Sequence, residues 1–289
     1  MDMEKVFEIE NMECVYPDEP AKLVLRIERL DVVKGEVVFL VGPSGIGKST
    51  ILEALGMMNN TIRNCTTFRY MGRDMRQWWW QGDAEQSAFR RTEFSFIFQS
   101  NNLMNNFTAW ENVKTTALFQ GMTDREAERL KRSIFEAIEL TDDRVWNAPV
   151  TALSGGQRQR LAFARAIMPR FSVLFGDEPT GNLDPVTADR LMGRLRDILH
   201  GKAGATAIIV SHDMTLATRY ADRIVQLHKM PMTYNGAESH YGLIDGESIY
   251  SRAEGSAWRG ADGSEYTEES LRAKLSSGIA GQAGKEAAK

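Results

Sequence analysis

A run of nine residues near the start of the chain constrains the fold more than any other segment. Residues 42–50 read GPSGIGKST, which matches the pattern G-x-x-x-x-G-K-[ST]. The apolar run VVFLV stands directly before them, and apolar side chains recur at helical spacing after them. Glycines let backbone N–H groups curl around phosphate oxygens, and a following helix presents its positive end to the same anion. This order predicts a phosphate-binding loop in an α/β protein, with an unliganded glycine turn as the alternative.

Two side chains of this loop carry specific chemistry. Lys48 would neutralise phosphate charge, and the Ser49 hydroxyl would ligate Mg²⁺. Ile46 stands where a small polar residue is commoner, but the backbone N–H is the group that a phosphate needs, so no loss is expected.

Composition and charge exclude several classes of protein. The formal net charge of -4 gives no basic excess for binding nucleic acid through its phosphates, so we expect no nucleic-acid partner. No apolar run approaches the ~18 residues that a membrane-spanning helix needs. The acidic N-terminus lacks the apolar centre of a secretory signal. Cys14 and Cys65 have no metal-ligand spacing and fit a reducing cytosol. If the protein acts at a membrane, another chain must supply the membrane part.

Strand-like and helical patterns alternate along most of the chain. This alternation predicts a mostly parallel sheet with helices on its faces. After residue 230 the sequence becomes rich in Gly, Ser and Glu. The predicted strands are 6–10, 23–27, 37–41, 66–70, 94–98, 172–175 and 207–210. A helical pattern covers 108–140 and is charge-rich over 124–140, and the other predicted helices are 50–57, 157–168, 187–199, 214–220 and a short one at 267–275.

Two adjacent acids follow an apolar run later in the chain. Asp177 and Glu178, the acidic pair, come directly after Val173, Leu174, Phe175 and Gly176. One carboxylate there can hold the Mg²⁺ shell, and the second can orient and deprotonate an attacking water. Two acids after a strand are equally typical of a solvated turn, so this pattern alone leaves both interpretations open.

A serine and two glycines open a predicted helix upstream of the acidic pair. Ser154, Gly155, Gly156 and Gln157, the signature segment, would form a nest of backbone N–H groups and a hydroxyl that suits an anion. Ser154 is also an ordinary helix N-cap residue. Both interpretations can hold together.

The order of phosphate loop, signature segment and acidic pair resembles the ATP-binding subunits of ABC (ATP-binding cassette) transporters. The resemblance covers roughly residues 4–230. It implies an α/β fold with a P-loop NTPase core and mostly parallel sheet, an antiparallel β subdomain and an inserted helical subdomain at about 100–165. It further implies a nucleotide-binding domain over 1–230, with a C-terminal hairpin and extension over 231–289.

The resemblance also assigns roles to individual residues, with ATP and Mg²⁺ as cofactors. Glu178 would be the general base, and His212, Gln99 and Lys48 would hold the γ-phosphate, water and metal. Tyr16 would stack on adenine, although packing against the protein is a rival role for a tyrosine. The signature segment would clamp the γ-phosphate bound to a second subunit. The nucleotide-binding set is Tyr16, Gly42, Pro43, Ser44, Gly45, Ile46, Gly47, Lys48, Ser49, Thr50, Ser154, Gly155, Gly156 and Gln157, and the metal set is Ser49, Gln99 and Asp177.

Two stretches resemble one branch of this family. Residues 96–113 and 176–184 are similar to the cassettes that serve macrolide exporters, lipoprotein-releasing complexes and cell division. That branch implies a homodimer or heterodimer of cassettes that hydrolyses ATP and moves separately encoded integral membrane (permease) subunits by mechanotransmission. The chain would then sit at the cytoplasmic face of the inner membrane. A mechanical ATPase that regulates a cell-envelope hydrolase, like the cell-division cassette, remains the alternative.

Overall fold

The computed structural model describes residues 4–16, 21–80, 83–201, 204–253 and 257–283. These residues fall into two compact units. The first unit lies within residues 1–86 and 210–289, and the second unit is formed by residues 87–209. Within the described residues, every helix is too short or too polar to span a membrane.

Strands and helices alternate through most of the chain. The strands are β1 Lys5–Tyr16, β2 Lys22–Val33, β3 Val37–Val41, β4 Ile62–Asn64, β5 Thr67–Tyr70, β6 Arg73–Asp74, β7 Phe94–Ile97, β8 Val173–Asp177, β9 Thr206–Val210, β10 Arg223–Gln226, β11 His228–Tyr234, β12 Ala237–Ile244, β13 Ile249–Arg252, β14 Trp258–Gly260 and β15 Glu265–Tyr266. The α-helices are α1 Lys48–Leu55, α2 Asp83–Glu93, α3 Ala109–Phe119, α4 Asp124–Ala137, α5 Asp143–Trp146, α6 Gly155–Ile167, α7 Pro185–Gly201, α8 Met214–Tyr220 and α9 Glu268–Ala283. Short 3-10 helices occur at Arg76–Trp80, Val150–Ala152 and Gly246–Ser248.

An antiparallel sheet of the first unit is built on two long strands. In β1 the side chains of Phe7, Ile9, Met12 and Cys14 are all fully buried, and the two-residue alternation shifts by one position between Ile9 and Met12, where Asn11 has a φ angle of 50°. β1 pairs antiparallel with β2, β4 and β5. Residues beyond 230 join the same sheet, because β11 and β12 form an antiparallel hairpin and β12 pairs parallel with β2.

A second group of strands in the first unit leads into the phosphate loop. β3 is buried along its whole length and pairs parallel with β10. β10 pairs antiparallel with β13, which in turn carries β14 and β15. Helix α9 buries Leu271 and Leu275 completely, so the C-terminal elements form part of the core of this unit.

The second unit combines strand ends with a helical cluster. β7 and β8 pair in parallel, and the rings of Phe94 and Phe96 each lie 5.3 Å from that of Phe175. Among the helices, the ring of Phe135 contacts Trp146 at 5.1 Å and Trp110 at 6.3 Å between centroids. Such aromatic packing holds α3, α4 and α5 against one another. The division of the chain at residue 230, and the span of the helical subdomain, stay predictions.

Candidate nucleotide-binding site

The phosphate loop in the first unit has a backbone that only glycine accommodates at two points. Gly45 and Gly47 have φ angles of 72° and 100°, in the left-handed region. A Cβ atom at Gly47 would also lie 3.3 Å from the carbonyl oxygen of Val24. Helix α1 starts at the next residue, and among the described residues no side chain caps its N-terminus. The amide N–H groups of its first turn are therefore available to an anion.

Lys48 lies across this loop. Its side chain is 6% exposed, and its Nζ donates hydrogen bonds to the carbonyl oxygens of Gly42 at 2.8 Å and Pro43 at 2.6 Å. These contacts hold an ammonium group against the loop, where it can neutralise phosphate charge. Ser49 is exposed at the helix start, whereas Thr50 is buried.

Tyr16 lies beside the same loop. Its hydroxyl is 3.2 Å from the Thr50 hydroxyl, and the side chain is 39% exposed. The structure therefore brings the aromatic ring and the end of the phosphate loop together. An exposed ring next to a phosphate cradle suits a nucleobase that stacks on it.

His212 lies in the turn between β9 and α8, on the first unit. The Ser211 N–H donates to the Leu40 carbonyl at 3.4 Å, two residues before Gly42. Asp213 caps α8 by accepting hydrogen bonds from the N–H groups of Thr215 and Leu216. The exposed His212 is thus held on a fixed turn at the end of β3 that leads into the phosphate loop.

In the second unit, Gln99 and the acidic pair follow neighbouring strands. β7 and β8 are paired so that Ile97 lies opposite Gly176. Gln99 comes two residues after Ile97, and Asp177 comes one residue after Gly176, so all three polar side chains project from the same edge of these strands. This is the edge at which ligands bind in parallel sheets.

Glu178 has an unusual backbone conformation. Its φ angle is 46°, which costs a non-glycine residue about 1–2 kcal/mol. The turn that follows is fixed by a hydrogen bond from the Gly181 N–H to the Glu178 carbonyl at 3.1 Å. Strained residues of this kind cluster at functional sites, which supports a specific role for this carboxylate.

The signature segment starts helix α6 with a complete capping box. The Gln157 N–H donates to the Ser154 hydroxyl oxygen at 3.2 Å, and the Ser154 N–H donates to the Gln157 side chain at 2.8 Å. Gly155 is exposed, and no atom of the described part of the chain lies within 4 Å of the position that its Cβ would occupy. The N-cap interpretation of Ser154 is therefore correct, and the same helix start also presents an open backbone surface to an anion.

The comparison with known protein families decides the family of the chain. Residues 25–181, more than half of the chain, match the family model described as ABC transporter. The chain belongs to the ABC transporter family. The matched range contains the phosphate loop, the signature segment and the acidic pair of this cassette.

Individual relatives and solved cassettes agree with the family model. The lipoprotein-releasing system ATP-binding protein LolD of Cereibacter sphaeroides is 41% identical over 204 residues, covering 71% of this chain and 87% of that protein. The protein of the same name from Zymomonas mobilis is 37% identical over 205 residues, with coverages of 71% and 84%. The dimeric structure of MJ0796, a bacterial ABC transporter cassette, has a TM-score of 0.69 and 30% identity, covering 76% of this chain and 93% of that one. A dimeric post-hydrolysis state of MJ0796 bound to ADP and Pi has a TM-score of 0.68 and 28% identity, with coverages of 81% and 98%.

These comparisons confirm several predictions from the sequence. The cassette has the P-loop NTPase fold, is the ATP-binding subunit of an ABC transporter, and hydrolyses ATP. The roles of individual site residues stay predictions.

Sequence analysis missed three buried or half-buried polar side chains that link the parts of the second unit. Gln159 is fully buried, and its amide donates to the Pro179 carbonyl at 2.6 Å, which ties α6 to the turn after the acidic pair. Arg165 donates to the carbonyl oxygens of Asn101 and Asn102, and so ties α6 to the loop after Gln99. Asn112, also fully buried, accepts from the Met104 N–H at 2.8 Å. A polar residue on the apolar face of a predicted helix would have identified them, because a buried polar side chain needs a hydrogen-bond partner.

Replacing Lys48 with alanine is expected to weaken ATP binding by about ten- to a hundredfold, because charge-assisted hydrogen bonds contribute about 1.5–3 kcal/mol each. Equilibrium titration with ATP measures the change. Lys34→Ala is the control. Lys34 is exposed, its Nζ forms an ion pair with a Glu4 carboxylate oxygen at 2.8 Å, and neither residue belongs to the phosphate loop. Equal ATP affinity in the Lys48→Ala variant would show that this ammonium does not contact phosphate.

Proposed function

We propose that this cassette powers a lipoprotein-releasing transporter, as a dimer that closes around two molecules of Mg-ATP. The observation that carries the proposal is that one chain has both a phosphate loop and an exposed signature segment, beside relatives that are lipoprotein-releasing proteins. The membrane part would come from separately encoded integral membrane subunits, which hold the cassette at the cytoplasmic face of the inner membrane. Because this chain contains the phosphate loop, the signature segment and the acidic pair, a homodimer of it would have two complete ATP sites.

The phosphate loop would hold the triphosphate. The N–H groups of residues 42–50 donate to phosphate oxygens, and Lys48 turns from the Gly42 and Pro43 carbonyls toward the negative charge. Tyr16 stacks on the adenine ring. The side chains of Ser49, Gln99 and Asp177 are of the oxygen-donor type that Mg²⁺ prefers, and each would be a ligand of the metal, which would neutralise charge on the phosphates.

Hydrolysis would depend on Glu178. Its carboxylate accepts a proton from the attacking water, and its left-handed backbone fixes the direction of the side chain. Gln99 orients the same water, and His212 donates a hydrogen bond to the γ-phosphate. Because phosphoryl transfer depends mainly on positioning and charge stabilisation, these fixed polar groups account for most of the rate enhancement.

The signature segment would act on the nucleotide of the partner cassette. The Ser154 hydroxyl and the N–H groups of Gly155 and Gly156 donate to the γ-phosphate bound there. Gln159 then transmits the contact, because its buried amide joins α6 to the turn that carries Glu178. ATP thereby joins two cassettes, and hydrolysis separates them.

The membrane subunits would dock in an apolar groove on the second unit, the docking groove. It has a volume of about 450 Å³ and is lined by Phe96, Phe98, Met104 and Phe119, among others. Phe119 is 68% exposed, which is unusual for a large apolar side chain and marks an interaction surface. Asn102 and Met104 also line the groove, so it adjoins residues 102–112, which we propose as part of the contact with the membrane subunits. Arg165 on α6 lines the groove and also donates to a carbonyl oxygen of the loop after Gln99. A movement of the docked membrane subunit would therefore be transmitted to α6.

Engineered cysteines test this docking surface. Met104→Cys and Phe119→Cys are expected to cross-link to a membrane subunit in the assembled transporter, whereas Val186→Cys, 59% exposed outside the groove, is not. Native thiols interfere little, because burial raises the pKa of the Cys14 thiol to about 12, and Cys65 can be replaced by serine. Mass spectrometry identifies the cross-linked peptides and measures the yield at each cysteine. Equal yields at the groove and at Val186 would count against the proposed contact.

Co-purification tests the transport function itself. The assembled complex is expected to contain a membrane subunit with bound lipid or lipoprotein. A bound cell-wall hydrolase in its place would support the mechanical alternative, which the lipoprotein-releasing relatives do not favour.

A further inference from the structure

A second cavity lies in the first unit, among elements that follow residue 225. It has a volume of about 410 Å³ and is bordered by β10, β13, the turn after β14 and helix α9. We call it the C-terminal cavity. Its size falls within the range of small-molecule sites. None of the residues assigned to the nucleotide lines it.

The floor of the C-terminal cavity carries a buried amide. Gln226 at the end of β10 is 4% exposed, lines the cavity, and makes no side-chain hydrogen bond with the described residues. Helix α9 approaches it closely, since a Cβ atom at Gly278 would lie 2.6 Å from the Gln226 Nε2. Because the Gln226 amide lines the cavity and has no side-chain hydrogen bond with the described residues, a ligand there can accept from its Nε2 and donate to its Oε1.

His228 adds an unpaired polar atom to the lining. Its Nε2 is buried and has no hydrogen-bond partner within the part of the chain that the structure describes. Buried polar atoms are almost always paired in native proteins, so this imidazole nitrogen marks the wall of the cavity as polar.

The rim of the cavity carries charges of both signs. Lys274 on α9 is exposed and donates to the Tyr266 hydroxyl at 2.6 Å. Asp262, held by the Ser264 N–H at 2.9 Å, and Glu247 are exposed carboxylates on the same rim. A molecule that carries an ammonium and a carboxylate would satisfy this rim, while an apolar molecule would not.

We propose that the C-terminal cavity is an effector site for a small zwitterion of the amino-acid or dipeptide class, and that its occupancy changes the affinity for ATP. Lys274 binds the carboxylate, Asp262 and Glu247 bind the ammonium, and Gln226 with His228 binds the polar groups between them. The proposal goes beyond transport and rests on ATP binding by the cassette.

The cavity floor is directly connected to the phosphate loop. Gln226 pairs with Val41 across β10 and β3, and the Leu227 N–H donates to the Val41 carbonyl at 2.8 Å. The Cβ of Leu227 would lie 3.2 Å from a Cβ built at Gly42, the first residue of the loop. A ligand that fixes Gln226 therefore acts on the strand end from which the loop starts, and such coupling is reciprocal.

Calorimetric titration of the full-length chain tests the proposal. The probes are the twenty amino acids and glycylglycine, with N-acetyl amino-acid amides as uncharged controls. ATP affinity is measured first without probe. A chain that does not bind ATP would contradict the proposed function rather than the proposed effector site. The variants are Gln226→Leu, Lys274→Met and the control Lys34→Met, all checked for folding by circular dichroism.

At least one zwitterion is expected to bind, to lose about tenfold in affinity in both cavity variants but not in Lys34→Met, and to change ATP affinity by about fivefold. Lys274 is exposed, so its variant remains informative if Gln226→Leu does not fold. Any of three results would overturn the proposal. Either no zwitterion binds at millimolar concentration, or the cavity variants bind it as tightly as the unmodified chain does, or the bound probe leaves the affinity for ATP unchanged.

Discussion

Replacing Glu178 with glutamine is expected to lower ATP hydrolysis by at least about a hundredfold, the lower limit for loss of a general base, while ATP binding is kept. Glutamine has the same shape and can adopt the same left-handed backbone, at a φ angle of 46°. It cannot accept a proton from water at neutral pH. ATP would therefore stay intact between two cassettes, and the variant should accumulate as a dimer in Mg-ATP.

Glu139 provides a matched control for this experiment. It is also a glutamate with a left-handed backbone, with a φ angle of 56°, and it lies in the second unit beside Arg190 at 3.6 Å. Glu139→Gln should hydrolyse ATP at the rate of the unmodified chain and should not accumulate as a dimer. Phosphate release measures turnover, and light scattering after size exclusion measures the mass. A Glu178→Gln monomer that still hydrolyses ATP would show that Glu178 is not the base.

Local patterns predicted the elements around the candidate site well. The predicted helix at 157–168 corresponds to α6 Gly155–Ile167, and the predicted helix at 124–140 corresponds to α4 Asp124–Ala137. Both helices have capping boxes at Ser154 and Thr123, so their starts are encoded within a few residues. The strand before the phosphate loop is an uninterrupted apolar run, which leaves little ambiguity.

Long-range pairing explains what the sequence did not reveal. β1 and β2 each have twelve residues, against the five predicted, because each is extended by its pairing with the other. The parallel pairing of β12 with β2 joins residues more than two hundred positions apart and has no local pattern. Helix α9 extends from Glu268 to Ala283, beyond the predicted 267–275, because its second half is small and polar and lacks helical periodicity.

Distance along the chain also decides which parts of the candidate site could be predicted from the sequence. Chain order identifies the phosphate loop, the acidic pair and the signature segment, since each is contiguous. The bond from Gln159 to Pro179 and the bonds from Arg165 to the loop at Asn102 join residues far apart in the chain. Only a folded structure reveals which carbonyl a buried amide or guanidinium reaches.

Replacing Gly155 with glutamate is expected to abolish ATP-dependent dimerisation and to lower hydrolysis by about a hundredfold or more. Within the described residues no atom lies within 4 Å of the position of its Cβ, and its backbone does not require glycine, so the cassette itself should fold normally. In the proposed dimer, however, the new carboxylate would face the γ-phosphate held by the partner. Two negative charges at that contact repel each other, and the side chain also blocks the backbone N–H groups.

Gly246→Glu is the matched control, because no atom of the residues that the structure describes lies within 4 Å of the Gly246 Cβ position, and Gly246 lies outside the signature segment. Both variants should bind ATP with the affinity of the unmodified chain, since the phosphate loop is unchanged. Only Gly155→Glu should remain monomeric when combined with Glu178→Gln in Mg-ATP, a condition that otherwise traps the dimer. A dimer that forms normally in this double variant would place the signature segment away from the partner's nucleotide. Each cassette would then have to bind and hydrolyse ATP with its own residues alone.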